Sequence, residues 1–242
     1  MVKPLAGKTA LVTGAAKRIG RTIALALAES GANIAITYLG SQLEAERTVR
    51  DLAAVDVDAL AVRCDVRDPL DIEEALASVV EEFGRLDLLV NNAGIFESAT
   101  LQEITVEQWD AMFETNTRAP FLMARAAYPH LRAASGRIIN IGSLGGLHPW
   151  ATHAHYCTSK AALHMLSQTM AKAWAPEISV NCIAPGMIVH GEIEEAYQHF
   201  AEKTPMQRNG TAEDIAAAAL FFATAPSFIT GQLLTVDGGL GL

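Results

Sequence analysis

Tyr156 and Lys160 stand four residues apart in the stretch Tyr156-Cys157-Thr158-Ser159-Lys160, which opens a helical pattern, so their side chains share a face. A phenol titrates near about 10 and is a poor base at neutral pH, but a neighbouring ammonium favours the phenolate. Such a pair can give a proton to a substrate oxygen in one direction and take it back in the other. Ser143 lies thirteen residues before Tyr156, just after the apolar run Arg137–Ile141. Its hydroxyl can hydrogen-bond the same oxygen and stabilise developing alkoxide charge. Asn116 shares a helical stripe with Trp109, Met112 and Phe113, and an amide on an apolar stripe must find partners. Pro120, four residues later, has no N–H, so the Asn116 carbonyl loses its helical bond and is free to hold a water.

A second group of residues suits a phosphate. The first apolar run ends in Thr13-Gly14-Ala15-Ala16-Lys17-Arg18-Ile19-Gly20, and a helix with Ile19, Ile23 and Leu27 on one face follows. Glycine permits the tight turn and close backbone approach that a pyrophosphate needs, and the helix start offers free N–H groups. Arg18 occupies the place where a middle glycine often stands. A site selective for NAD would place a carboxylate at the end of the second strand, for the ribose 2′-hydroxyl. Here that end reads Thr37-Tyr38-Leu39-Gly40-Ser41, and Glu44 falls in the next helix. Lys17, Arg18 and the Ser41 hydroxyl suit a 2′-phosphate instead, which points to NADP(H).

Strands and helices must bring these groups together. Seven short apolar runs read as strands: Thr9–Thr13, Asn33–Tyr38, Ala59–Val62, Leu86–Val90, Arg137–Ile141, Ile178–Ile183 and Leu233–Val236. Helical patterns separate them, most clearly Ile72, Ala75, Leu76, Val79, Val80 and Phe83. Strand–helix alternation predicts an α/β fold: one Rossmann-like, doubly wound parallel sheet with helices on both faces. No linker or repeat divides the 242 residues, so a single domain is expected, with a cofactor half over 1–142 and a catalytic and substrate half over 143–242.

Composition narrows the function classes. Eighteen Lys and Arg against 27 Asp and Glu give a net charge of −9, unsuited to a nucleic acid or an anionic membrane surface. Cys64, Cys157 and Cys182 are scattered and form neither a disulfide framework nor a zinc site. The start, MVKPLAGKTALVTG, lacks a signal-peptide pattern, and the apolar run Ile215–Ala223 is too short to span a bilayer. A cytoplasmic protein is expected. His148, His153 and His155 lie between Ser143 and Tyr156, in a predicted loop with no nearby carboxylate. They read as pocket-rim or interface residues, and no metal is expected.

The motifs resemble the short-chain dehydrogenase/reductase family. TGAAKRIG matches its TGxxxxxG loop, Asn91–Gly94 its NNAG, Tyr156 and Lys160 its YxxxK, and Ser143 its serine. Pro185-Gly186 and the stretch TGQLLTVDGG over Thr230–Gly239 also fit, so the matches run in family order along nearly the whole chain. The resemblance implies hydride transfer between NADP(H) and a carbonyl or secondary alcohol. Tyr156 would be the acid/base, Lys160 would tune it and hold the ribose, Ser143 would orient the oxygen, and Asn116 would anchor a relay water. It further implies that Gly14, Ile19 and Gly20 join Lys17 and Arg18 at the phosphates, and that Asp65 and Val66 flank the adenine. Asn91, Ala93 and Gly94 would line the ribose side, Pro185 and Gly186 would belong to the cofactor site, and the backbone of Ile188 would meet the carboxamide. Many relatives carry threonine where this chain has His190.

Phe96, Leu144, Trp150, Met187 and His190 are the expected pocket lining, and Cys157 is turned to another face. A homotetramer is implied, paired through helices over Val106–Arg132 and His153–Ala173 and through the final strand. Leu163, Leu166, Met170 and the tail Gly238–Leu242 are its candidate contacts. Three other readings stay open: a 3-oxoacyl-(acyl-carrier-protein) reductase, a pteridine-type reductase and a non-catalytic nucleotide sensor. Arg132, Arg137 and Lys172 offer a carrier protein only a thin basic patch, and pteridine reductases usually carry Asp at the place of Ser143.

Overall fold

Alternation along each central strand explains why both faces of the sheet are covered. In the computed structural model, which describes residues 3–189 and 195–242, Ala10 and Val12 of β1 (Thr9–Val12) face one core and Leu11 faces the other. β4 (Leu88–Asn91) and β5 (Arg137–Ile141) divide in the same way, with Val90 and Ile139 on one side and Leu89 and Ile138 on the other. A strand buried on both faces needs a helix layer on each. α1 (Arg18–Glu29) and α8 (Ala212–Thr224) cover one face through Ile23, Leu27, Ile215 and Phe222. α3 (Pro69–Phe83) and α5 (Ala119–Ala134) cover the other through Ile72, Val79, Met123 and Leu131.

With β2 (Asn33–Tyr38), β3 (Ala59–Arg63), β6 (Ser179–Pro185) and β7 (Leu233–Val236), the sheet has seven strands in the order β3-β2-β1-β4-β5-β6-β7. Every neighbouring pair is parallel. The expected doubly wound sheet is therefore present. Because all strands point one way, the loops after β1, β4, β5 and β6 emerge at one edge. The chain reverses its winding between β1 and β4, which is where open α/β sheets bind ligands. Among the described residues no helix is long and apolar enough to cross a membrane.

The strands β1, β3, β4 and β6 depart from their expected bounds by one or two residues, and one expected helix is broken. β4 begins at Leu88; just before it, the Asp87 N–H donates to the Thr9 carbonyl, the Asp87 carbonyl accepts the Arg137 N–H, and the carboxylate is held by Lys8, Arg85 and the Thr9 N–H. The helix expected over Val106–Arg132 is broken into α4 (Val106–Phe113), a five-residue π turn (Glu114–Arg118) and α5. Pro120 has no N–H to return, and the Ala119 N–H reaches back five residues to the Glu114 carbonyl. The remaining helices are α2 (Gln42–Ala53), α6 (Ala154–Trp174) and α7 (Glu195–Lys203).

Candidate active site

Tyr156 and Lys160 lie on the face of α6 that packs toward β5 and the loop after it. Lys160 is buried, and its Nζ donates to the Ile141 carbonyl at the end of β5 at 2.8 Å. Burial lowers its pKa to about 8. The ammonium lies 6.0 Å from the centre of the Tyr156 ring. That ring is wedged between aromatic groups: Phe96 meets it edge-on at 4.8 Å and Trp150 stacks at 6.0 Å. Burial pushes the phenol above its ordinary pKa, and the Ser143 hydroxyl beside it pulls the other way. The phenol is thus held as a proton donor.

Ser143 caps a 3₁₀ turn over Leu144–Gly146, and its Oγ accepts the Gly145 N–H at 3.1 Å. One lone pair is spent there, and the hydroxyl hydrogen remains to be given to a ligand. Gly145 also lets the turn approach Trp150, whose ring a Cβ would meet at 3.1 Å.

Asn116 sits in the π turn, fully buried, and its side chain is committed. Oδ1 accepts the Ile95 N–H at 2.9 Å, while Nδ2 donates to the Ile95 carbonyl at 3.0 Å and to Ser159 Oγ at 3.2 Å. The amide pairs with the loop after β4 as a neighbouring strand would. It brings Gly94 beside Lys160, where a Cβ on Gly94 would lie 3.1 Å from Asn116 Oδ1 and 3.6 Å from Lys160 Nζ.

The loop after β1 is tied from three sides. The Gly14 N–H donates to Thr37 Oγ1 at 3.2 Å, and Thr13 Oγ1 accepts the N–H groups of Asn92 and Ala93, each at 3.0 Å. Gly14 has φ +61°, and a Cβ there would come within 2.9 Å of Ala93 Cα. Gly20 allows the equally close approach of Asn92. α1 begins at this loop with no side-chain cap and no carboxylate in its first turn, whereas α3, α4 and α8 are capped by Asp68, Thr105 and Thr211. Exposed Lys17 and Arg18 stand at that open end, with Ile19 packed on the core beneath. Arg18 adopts φ +54°, a left-handed conformation where glycine is the relaxed choice. Ser41 precedes α2 and makes no capping bond.

The other expected positions are placed as follows. The Asp65 carboxylate is gripped by Arg67 at 2.9 and 2.6 Å, which holds it below the ordinary carboxylate pKa, and Val66 packs against the core. The Asn91 side chain is buried and donates to Asn140, its partner on β5, at 2.8 Å. Gly186 lies close against Asp237 after Pro185 ends β6. Ile188 forms a parallel bridge with Gly210, in which the Gly210 N–H donates to the Met187 carbonyl and the Val189 N–H donates to the Gly210 carbonyl. The N–H and C=O of Ile188 therefore point away from that bridge. His190 falls outside the described residues.

The three loop histidines separate. His153 stacks on Phe96 at 4.7 Å, His155 is buried, and His148 lies toward Gly241. Among the described residues no group of three or more metal-ligating side chains forms. Leu144 is buried, and a Cβ on Gly241 would meet its Cδ1 at 2.8 Å, so it supports the chain's own tail. A cavity of about 200 Å³ lies at the opposite edge of the sheet, lined by Lys8, Asp87 and Arg137 among others, and no residue of the catalytic set reaches it. Sequence reasoning missed Thr13, Asn92, Arg67 and His164. Asn92 was legible as part of NNAG. Thr13 was legible as the start of TGxxxxxG and His164 by its place four residues after Lys160, while Arg67 carries no spacing signal.

The family described as enoyl-(acyl carrier protein) reductase matches residues 14–241. The 3-oxoacyl-(acyl-carrier-protein) reductase FabG of Staphylococcus aureus is 38% identical over 240 residues, spanning 96% of this chain and 98% of its own. The chain is a member of the short-chain dehydrogenase/reductase family. A short chain dehydrogenase of Burkholderia cenocepacia in complex with NADP is 37% identical with a TM-score of 0.93, over 99% of this chain and 100% of that one. A blue fluorescent protein from a metagenomic library, in complex with NADPH, is 34% identical with a TM-score of 0.94, over the same shares. In this family member TGAAKRIG, NNAG and Ser143 follow β1, β4 and β5 at one sheet edge, and α6 brings YxxxK to that edge through Lys160 and Ile141.

Proposed function

We propose that this short-chain dehydrogenase/reductase is an NADP(H)-dependent oxidoreductase that interconverts a carbonyl and a secondary alcohol. The observation that carries the reading is the convergence of the Ser143 hydroxyl, the Tyr156 phenol and the buried Lys160 ammonium at the switch-point edge of the sheet. The cofactor fits the residues present. The uncapped start of α1 with Lys17 and Arg18 suits phosphates, the gap at Gly94 faces the Lys160 ammonium, and the Ile188 main chain is available to an amide. Residues 1–142 supply most cofactor contacts, and residues 143–242 the proton chemistry and substrate wall.

When bound, the nicotinamide supplies or accepts the hydride. In reduction, Tyr156 Oη gives its proton to the substrate oxygen while Ser143 donates its hydroxyl hydrogen to the same atom. Lys160 favours the phenolate that remains. The Asn116 main-chain carbonyl, to which Pro120 offers no N–H, can hold the water that returns a proton through Lys160. In oxidation each step runs backwards. Phe96, Trp150 and His153 around the phenol favour a carbonyl with an apolar or aromatic substituent.

The test is NADPH consumption with a panel of ketones, diketones, 3-oxoacyl thioesters and dihydropterins. Reduction of at least one ketone or thioester is expected, and NADPH binding without any reduction favours the sensor reading. The FabG relatives favour 3-oxoacyl thioesters within the same chemistry. Against carrier docking at the patch read from sequence, Arg132 lies 3.9 Å from Glu177, and Arg137 donates to the Phe222 carbonyl at the amino end of β5.

Cofactor choice has its own test. Because Arg18 and an alanine in its place share the same left-handed strain, Arg18→Ala isolates the charge. A lost charge-assisted contact of about 1.5–3 kcal/mol weakens NADPH roughly tenfold or more. NADH, which lacks the extra phosphate, should change far less in the same fluorescence titration. Equal losses for both would move Arg18 away from the 2′-phosphate.

We also propose a homotetramer. Leu163 and Met170 are buried within the chain's own core, and Leu166 packs against it, so they are not free for a partner. The outward apolar residues of the central helices are Val106, Trp109, Phe121 and Met165. The tail turns back on itself, with the N–H groups of Gly239 and Gly241 bound by the Asp237 carboxylate at 3.0 and 2.9 Å, and only Leu242 stands fully exposed. Light scattering should give four times the 25.8 kDa chain mass, and a monomer mass at micromolar concentration would refute the assembly.

A further inference from the structure

We propose that His164 positions Ser143 for catalysis by accepting the serine's backbone N–H, an inference that rests on the oxidoreductase reading above. His164 lies on α6 one turn beyond Lys160 and two beyond Tyr156, so the three side chains form one stripe. Its ring is buried beneath the loop that carries Ser143, and Nε2 accepts the Ser143 N–H at 3.3 Å.

The loop is shaped around the imidazole. A Cβ on Gly142 would stand 2.7 Å from the ring's Cδ2, and a Cβ on Gly146 would stand 2.5 Å from its Cε1. Only a chain without side chains at both places can close over the ring. Between these glycines, each polar group of Ser143 but one is engaged. The N–H goes to His164, the Oγ accepts the Gly145 N–H at 3.1 Å, and the carbonyl accepts the Gly146 N–H at 3.0 Å. The hydroxyl hydrogen is what remains, and it lies on the side of Tyr156.

An acceptor at Nε2 requires an unprotonated nitrogen there. Burial, with the nearby Lys160 charge, holds the imidazole pKa down to about 4, so the ring is neutral wherever the enzyme works near neutrality. Its hydrogen then belongs on Nδ1, which meets no polar partner among the described residues. His164 touches neither substrate nor cofactor in this account. It is a positioning residue, acting through Ser143.

Two variants and one spectroscopic measurement test this. His164→Leu fills the space but cannot accept a hydrogen bond, whereas His164→Gln can. His164→Leu is expected to lower kcat for carbonyl reduction by about tenfold or more with NADPH affinity unchanged, because a small misplacement of a reacting group is costly. His164→Gln should recover most of that loss. A folded Leu variant with wild-type kcat would overturn the proposal. So would equal losses in both variants that follow a shared fall in Tm, since the ring would then only fill space. Nitrogen-15 shifts of the labelled ring give a readout that needs no substrate, with an unprotonated Nε2 and a protonated Nδ1 expected at neutral pH. A protonated Nε2 would overturn the proposal independently. Absence of any carbonyl reduction by the wild type would count against the functional reading, while the ring measurement would still decide this one.

Discussion

Tyr156→Phe is expected to lower carbonyl turnover by at least ~10²-fold, the scale on which a positioned general acid contributes. The change removes one oxygen and leaves the ring between Phe96 and Trp150, so the aromatic wall persists. NADPH affinity should change little, because the phosphate loop, Gly94 and the Ile188 main chain are untouched. Steady-state NADPH oxidation and a binding titration on the same preparation separate the two quantities. Near-normal turnover with intact binding would remove Tyr156 from the chemistry, and with it the role assigned to Lys160.

The second large effect is on the fold around the site. Asn116→Leu keeps most of the volume but takes the partners from the Ile95 N–H and C=O at once. Leaving a buried polar group unsatisfied costs about 1–3 kcal/mol, so two groups set an expected loss of about 3 kcal/mol. For a domain of this size that is a fall in Tm of roughly 6–12 °C. Turnover should fall as well, since the loop that faces Lys160 is no longer tied to the π turn. Thermal and urea unfolding check the stability, and an unchanged Tm would show that water replaces the amide without cost.

Both predictions touch the boundary of what the sequence discloses. The parallel sheet was legible because each central strand carries an apolar run and each crossover a 3.6-residue period. The caps of α3, Asp68 with Pro69 at its start and Gly84 at φ +72° after its end, come from the structure. Asn116 was legible as an amide needing partners, and Pro120 as the loss of one bond in a helix expected to run on to Arg132. The form of the break was not, because a π turn depends on which distant N–H groups come within reach. The side-chain partner of Asn116 proved to be the Ile95 backbone, twenty-one residues earlier, and no local spacing encodes that bond. His164 shows the same limit. Its place four residues after Lys160 was visible, but its function depends on a glycine loop brought over it by β5. Leu163 and Met170 erred in the opposite sense, since an apolar stripe does not say whether its cover is the same chain or another.

The proposed reaction passes hydride between NADPH and a carbonyl carbon at this site. The most direct measurement uses NADPH carrying deuterium at its transferable position, with mass spectrometry of the product formed from a ketone that the wild-type protein consumes. One deuterium is expected on the carbinol carbon of the alcohol, with the labelled product at least ~10²-fold less when Tyr156→Phe replaces the wild type over the same interval. Tight NADPH binding with no labelled alcohol from any carbonyl in the panel would contradict it.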